Sequence, residues 1–288
     1  MQQKGETSKM RITVMIENTG QEGMCAEHGL SLYIEYNGGR YLLDTGATSA
    51  FLANADKLGI PLDQVDMAFL SHSHYDHSGG FEGFFQRNSK AKVYLQEKAK
   101  EACYKITDDE KSYIGIPKHL LAAYPERFCF LEKDFQAARG VWVLPHTTKG
   151  LEQRGKRAHM YREREGDFST DDFAHEQSLV FETEKGLIVL NSCSHGGIVN
   201  IVREAEEALG RKVYAVVGGF HLMGTDGIQT MAFTEEEVIG LGRDLLALGV
   251  EEIYTGHCTG APAYEILAEN FKGHVHDLAA GTRITFPS

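Results

Sequence analysis

Apolar residues along this chain come in short runs, and most runs end on a polar turn. Met10 to Glu17 is a short, β-branched run that predicts a strand. Leu30 to Tyr36 predicts another, and Tyr41 to Leu43 follows after Asn37-Gly38-Gly39. Two apolar runs around such a turn predict a hairpin. Ser49 to Leu58 has helical spacing, and Gly59-Ile60-Pro61 stops it. Met67 to Leu70 reads as a buried strand, Ala91 to Leu95 as a strand, and Glu97 to Tyr104 as the start of a helix. From Pro145 to Gln177 the pattern is lost. The stretch is polar and charged, and it predicts a long loop or lid with one short helix at most.

The pattern returns in the second half. "SLVFETEKGLIVLNSCSH" reads as two strands around Glu184-Lys185-Gly186. "GGIVNIVREAEEALG" is an amphipathic helix closed by Gly210. "VYAVVGGFH" is a strand. "TEEEVIGLGRDLLALG" is a helix with Thr234 as its cap and acids in its first turn. "EEIYTGH" is a strand, a last helix starts near Ala263, and Ile284 to Phe286 closes a sheet. One regularity stands out. Asp44, His72, His195, His221 and His257 each sit just after an apolar strand. Strand ends on one rim of a sheet converge, so these distant residues can build one site.

Composition narrows the function classes. The chain has 288 residues, 42% of them hydrophobic, enough for a sizeable core. Its net charge of −12 argues against general nucleic-acid binding, which needs a basic face. No apolar run approaches the roughly 20 residues of a membrane span. The first residues, MQQKGETSKM, lack the apolar stretch of a signal peptide, so a cytoplasmic location is expected. Five scattered cysteines with no CxxC pair suit reduced thiols.

The chemistry concentrates in "AFLSHSHYDHSGGF", Ala68 to Phe81. Histidines at i and i+2 on a turn leaving a strand can aim two imidazoles at one ion. Asp76 and His77 follow closely enough to serve a second. Two ions about 3.5–4 Å apart can share an activated water. Imidazole suits zinc and iron, carboxylate adds charge, and manganese is compatible as well. Gly79 and Gly80 allow close backbone approach after the turn.

"SHSHYDHSGG" resembles the signature of the metallo-β-lactamase-fold superfamily, and "LLDTG", "SCSHGG" and "TGHCTG" fall at the other landmark positions in order. "AEHGLSLYIE" and "VVGGFHL" further resemble a branch, the dihydropterin-methyl ribofuranosylaminobenzene phosphate synthase-like metal-dependent hydrolases. The resemblance implies an α+β fold, a four-layer αββα sandwich with a metal site at one edge. It implies a single domain over residues 1–288, with an inserted or lid-like region at about 97–177. Carried onto this chain, it implies that His72, His74 and His195 bind one divalent ion. Asp76, His77 and His257 bind a second, and Asp44 holds a ligand or its loop in place. Zinc is the first expectation for both ions.

One departure from the family pattern matters. The superfamily usually bridges its ions with an aspartate on the strand that here ends "VVGGFHL", which offers no carboxylate. His221 is the candidate substitute. A neutral imidazole has one free lone pair and cannot bridge as a carboxylate does. His221 therefore binds one ion, contacts substrate, or is a hydrogen-bonded structural histidine. A site without the bridge is more positive, which weakens the second ion or favours anionic substrates.

Glu27 and His28 are expected to line the pocket. Arg154 and Arg157 lie in a basic stretch, Lys149 to Arg164, that is suited to a phosphate or carboxylate of the substrate. His175 reads as a surface-loop residue, and Cys258 adjoins His257. The leading expectation is a hydrolase that uses a metal-activated water on a small anionic substrate, with Asp76 also accepting a proton. The alternatives are the transfer reaction of the branch, in which a pterin methyl group couples to a ribofuranosyl-aminobenzene phosphate and pyrophosphate leaves, and a catalytically silent metal-binding scaffold or sensor. Nothing in the sequence marks an oligomeric interface.

Overall fold

The computed structural model describes residues 9–108 and 110–287. Its chief elements are two seven-stranded sheets. In the first, hydrogen-bonded neighbours run 283–287, 9–16, 31–36, 39–43, 67–69, 92–96 and 128–131. In the second they run 275–277, 252–255, 213–217, 187–190, 177–182, 141–145 and 135–138. The predicted hairpin is present. Tyr36 pairs with Gly39 across Asn37 and Gly38, whose φ angles of 49° and 81° suit a two-residue turn.

Alternation along the strands produces the layers. Leu32, Ile34 and Leu43 of the first sheet pack on Val143, Leu179, Phe181 and Leu190 of the second. The intervening residues Tyr33 and Leu42 face outward onto Phe51 and Phe84, from helices Ala50–Leu58 and Phe81–Arg87. On the far side Val180, Val189 and Ile253 pack on Val202, Leu245 and Leu267. Those three come from helices Ile198–Leu209, Glu235–Leu248 and Ala261–Asn270. Two sheets packed face to face, each covered by helices on its outer face, make a four-layer αββα sandwich. No helix among the described residues is long and apolar enough to cross a membrane.

Residues 97–177 do not form one unit. Strands Phe128–Leu131, Phe135–Ala138 and Val141–Pro145 join the large sheets. Ala102–Ile106, Lys111–Tyr113, Met160–Arg164 and Asp167–Thr170 form a separate four-stranded sheet. Two expectations change here. Glu97–Lys100 is only a single 3₁₀ turn, and Ala102–Ile106 is a strand because it pairs with Met160–Arg164. The expected loop holds the short helix Glu152–Arg157 but also a hairpin that turns at Glu165-Gly166.

The two large sheets each contain four neighbouring parallel strands. Within each set the carboxyl ends lie on one edge, where α/β folds place their ligands.

Candidate metal centre

The turn after Met67–Phe69 carries His72 and His74, and the helical turn Tyr75–Ser78 then presents Asp76 and His77. The next residue has to be glycine, because a Cβ on Gly79 would lie 1.9 Å from the Ala47 carbonyl oxygen. Four non-glycine residues at the strand ends adopt left-handed φ angles: Asp44 at 61°, Ser194 at 53°, His221 at 51° and His257 at 50°. Such backbone costs of order 1–3 kcal/mol per residue and concentrates at functional sites.

His72, His74 and His195 each offer a ring nitrogen within 4.8 Å of the others. His72 Nε2, His74 Nε2 and both nitrogens of His195 are buried without a hydrogen-bond partner. Beside them lies a second group. His77 Nε2 is 3.2 Å from His257 Nε2 and 3.4 Å from Asp76 Oδ2, and His257 Nε2 is 3.5 Å from the same oxygen. Donors held about 2.0–2.1 Å from a tetrahedral zinc ion stand about 3.3 Å apart. The second group matches that spacing, and the orphaned nitrogens of the first are the kind that an ion satisfies. The donor set therefore fits divalent ions.

Asp44 reaches both groups. Its Oδ2 is 2.8 Å from His77 Nδ1 and accepts from Ser71 Oγ at 2.6 Å, while Ser71 Oγ lies 2.9 Å from His72 Nδ1. Four supporting residues carry no sign of their role in the sequence. Asn18 Oδ1 lies 2.9 Å from His257 Nδ1, and Glu17 accepts the His257 backbone N–H. Glu176 accepts the N–H groups of His195 and Gly196 at 2.8 and 2.9 Å. His146, which follows no motif, bonds Glu176 on one side and Glu204 at 3.0 Å on the other. The carboxylates escape a motif search because they act on groups far away in the chain.

Burial sets the protonation of the histidines. It pushes His72 and His195 well below the ordinary range and takes His74 to about 3, so all three are neutral donors. Burial also opposes the charge on His77, but Asp76 and Asp44 outweigh it and raise His77 to about 10. Burial pushes Asp76 up, yet His77, His257 and His28 hold it well below the usual carboxylate range.

A cavity of about 770 Å³ opens over both groups, a size suited to a small molecule. Asp76 is the one carboxylate among its described lining residues. His28 lies at the mouth, its Nε2 3.3 Å from Asp76 Oδ2. His221 lines the wall, its ring 4.2 Å from that of His195 and its Nδ1 buried without a partner. Arg154 and Arg157 both line the cavity but differ. Arg157 bonds the Ala232 carbonyl at 2.6 Å, pairs with Glu237 and stacks over Phe233. Arg154 is half-buried and makes no ion pair among the described residues. Two expectations shift. Glu27 does not line the cavity, because its carboxylate accepts from Ala47 N, Thr48 N and Thr48 Oγ1 and so fastens that loop. His175 is not on the surface. It is fully buried between Asp171, at 3.0 Å, and the Ser73 N–H.

Comparison with known proteins agrees with this geometry. Residues 26–176, just over half of the chain, match the metallo-beta-lactamase superfamily. The 7,8-dihydropterin-6-methyl-4-(beta-D-ribofuranosyl)-aminobenzene-5'-phosphate synthase of Methanocaldococcus jannaschii is 32% identical, over 91% of this chain and 90% of its own length. Tm1679, described as a metal-dependent hydrolase of the beta-lactamase superfamily, superposes with a TM-score of 0.82 at 31% identity, covering 97% of this chain and 100% of its own. A diphosphatase of the PhnP family, at 14% identity and a TM-score of 0.56 over 96% of this chain and 98% of its own, shares the fold. With its fold, its motif positions and a relative that spans nine-tenths of its length all in agreement, the chain belongs to the metallo-beta-lactamase superfamily of metal-dependent enzymes.

Proposed function

We propose that the protein is a dinuclear metal-dependent hydrolase acting on a small anionic substrate, phosphorylated or carboxylated. The observation that carries this is the pair of adjoining donor groups, His72/His74/His195 and Asp76/His77/His257, under one cavity also lined by Arg154, which makes no ion pair among the described residues. Bound there, divalent ions would supply a Lewis acid and lower the pKa of a coordinated water towards neutrality.

The chain's own groups then divide the work. Arg154 binds the anionic part of the substrate. Ile114, Met160, Met223 and Ile228 provide an apolar wall for its body and exclude water. Asp76 serves as proton acceptor for the attacking water as well as metal donor, and His28 at the cavity mouth, its Nε2 3.3 Å from Asp76 Oδ2, is placed to relay protons to solvent. Asp44 keeps His77 and His72 aimed throughout.

A second reading has one observation in its favour, the synthase name of the 32% identical relative. In that reading the same donors and Arg154 would hold a leaving pyrophosphate. A third, a silent scaffold, is tested by the same experiment. Protein purified without chelator or histidine tag is assayed for metal by elemental mass spectrometry, then against phosphate esters and anhydrides. The hydrolase reading expects about two equivalents of zinc, iron or manganese. It also expects turnover that disappears in His72→Ala and His257→Ala, and a KM raised by Arg154→Gln more than by Arg157→Gln. Pyrophosphate release that requires both a pterin and a ribofuranosyl-aminobenzene phosphate would replace it with the transferase. A chain that takes up no metal would end both.

A further inference from the structure

We infer that Cys193 is a metal ligand, its thiolate standing between the two donor groups where the cavity offers no bridging carboxylate. The inference rests on the metal-dependent function proposed for the site.

The position of the sulfur carries the argument. Cys193 Sγ is 3.2 Å from His77 Nε2. It lies within 4.8 Å of donor nitrogens on His72 and His77, and forms another such cluster with His257 and Cys258. One atom thus neighbours a histidine of the first group and two of the second. Bonds of about 2.3 Å to sulfur and about 2.0–2.1 Å to nitrogen separate tetrahedral donors by about 3.5 Å. The observed spacing is close to that value.

Local sequence explains how the thiol gets there. In Ser192-Cys193-Ser194-His195 the left-handed Ser194 turns the chain, and its N–H is pinned by Asn191 Oδ1 at 2.7 Å. That turn delivers Cys193 and His195 to one cavity.

Chemistry separates the three candidates for the bridge. An imidazole at His221 spends its one free lone pair on a single ion. Cys258 is otherwise engaged, its Sγ donating to the Cys193 carbonyl at 3.5 Å and accepting the His221 N–H at 3.3 Å. A Cys193 thiolate keeps further lone pairs after its first metal bond and adds negative charge beside Asp76, the one carboxylate of the cavity lining. It is also a soft donor, which favours zinc or iron over magnesium or calcium.

The test is cobalt(II) substitution of the full chain, read by near-ultraviolet absorption and by X-ray absorption at the metal edge. The expected result is a sulfur-to-cobalt charge-transfer band and a sulfur shell at about 2.3 Å. Both should vanish in Cys193→Ala and Cys193→Ser and persist in Cys258→Ala, and without the Cys193 thiol the weaker-held ion should lose at least the roughly 10–100-fold in affinity that removal of a mere supporting contact costs. The wild-type spectrum needs no variant. Should neither Cys193 variant fold, persistence in Cys258→Ala while Cys103→Ser is also unchanged makes the assignment. Cobalt bound only through nitrogen and oxygen overturns the inference and leaves the metal-dependent function intact. A sulfur signal that survives in folded Cys193 variants, or disappears in Cys258→Ala, overturns it too. No bound cobalt at all overturns both.

Discussion

The two donor groups share one cavity but are built differently. In the second, every donor is positioned by a side-chain partner or a charge. His77 leans on Asp44, His257 on Asn18 and Glu17, and Asp76 on both histidines and His28. In the first there is no carboxylate. Among the described residues only His72 has a hydrogen-bonded side-chain brace, through Ser71, and His195 is held by its backbone while both ring nitrogens stay unpartnered. The second group is therefore set in advance by the protein. The first is an incomplete polar cluster, held in place by strand ends and by burial. Where polar groups are satisfied, a site costs the fold little. Where they are not, the fold carries a penalty that an ion can remove.

The largest expected effect comes from that penalty. Each buried unsatisfied polar group costs about 1–3 kcal/mol, so stripping metal should lower the unfolding free energy by several kcal/mol. Urea unfolding with and without chelator measures it. His195→Ala should remove more of the metal-dependent part than Asn18→Ala. Equal loss in the two variants would show that the groups are not energetically distinct.

Next in size is a pH effect that reaches the first group through the brace behind His195. His146 is almost fully buried between Glu176 and Glu204. Burial opposes its charge, but the two carboxylates raise it from 6.5 to about 9. A raised folded pKa gives stability that is full below 6.5 and is lost as pH rises through 9. The shift corresponds to about 3 kcal/mol at most. Burial pushes Glu204 up, yet His146 brings it to about 2, so its side of the same pair is lost only as pH falls from 4.5 through 2. Stability should therefore fall between pH 6.5 and 9 in wild type, with a shallower slope in His146→Gln. Parallel slopes would remove His146 from the account.

Asp44→Asn should come third. Because Asp44 contacts His77 directly and His72 through Ser71, it links the groups that otherwise differ. Supporting changes of this kind typically cost 10–100-fold in metal affinity. Isothermal titration should show both binding steps weakened, and loss of one step alone would mean that Ser71 does not transmit the effect.

The same contrast explains what could be read from sequence. The sandwich was legible because strands such as Ser31–Tyr36 and Leu187–Leu190 carry their burial in apolar runs, and because turns such as Asn37-Gly38 and caps such as Thr234 are local chemistry. The HxHxDH turn was legible because four donors lie within six residues. The hairpin Met160–Arg164/Asp167–Thr170 was not, since its residues are half-buried or exposed and show no alternation. Glu27 was misplaced because adjacency to His28 says nothing about direction, and its carboxylate turns to the Ala47-Thr48 loop. His175 was misplaced because an acidic neighbourhood looks solvated, whereas Asp171 and His175 bury each other. Glu17, Asn18, Glu176 and His146 act across the fold on distant partners, and spacing along the chain does not encode such pairs.

The smallest effect sharpens the comparison from the other side. Asn18 supports one ring nitrogen of one ligand, His257 Nδ1, at 2.9 Å. Its side-chain N–H also reaches the His257 carbonyl at 3.4 Å, and its Oδ1 accepts the Gly29 N–H at 3.2 Å. Asn18→Ala removes these while Glu17 still holds the His257 backbone, so the ring keeps its place but loses its preferred tautomer. A net hydrogen bond is worth about 1 kcal/mol, which corresponds to about fivefold in affinity. The loss should fall on one binding step only, because nothing joins Asn18 to His72, His74 or His195 as Asp44 joins His77 to His72. If titration shows both steps weakened equally by Asn18→Ala, the two groups behave as one cooperative cluster. If only one step moves, each group is braced on its own and Asp44 is the link between them.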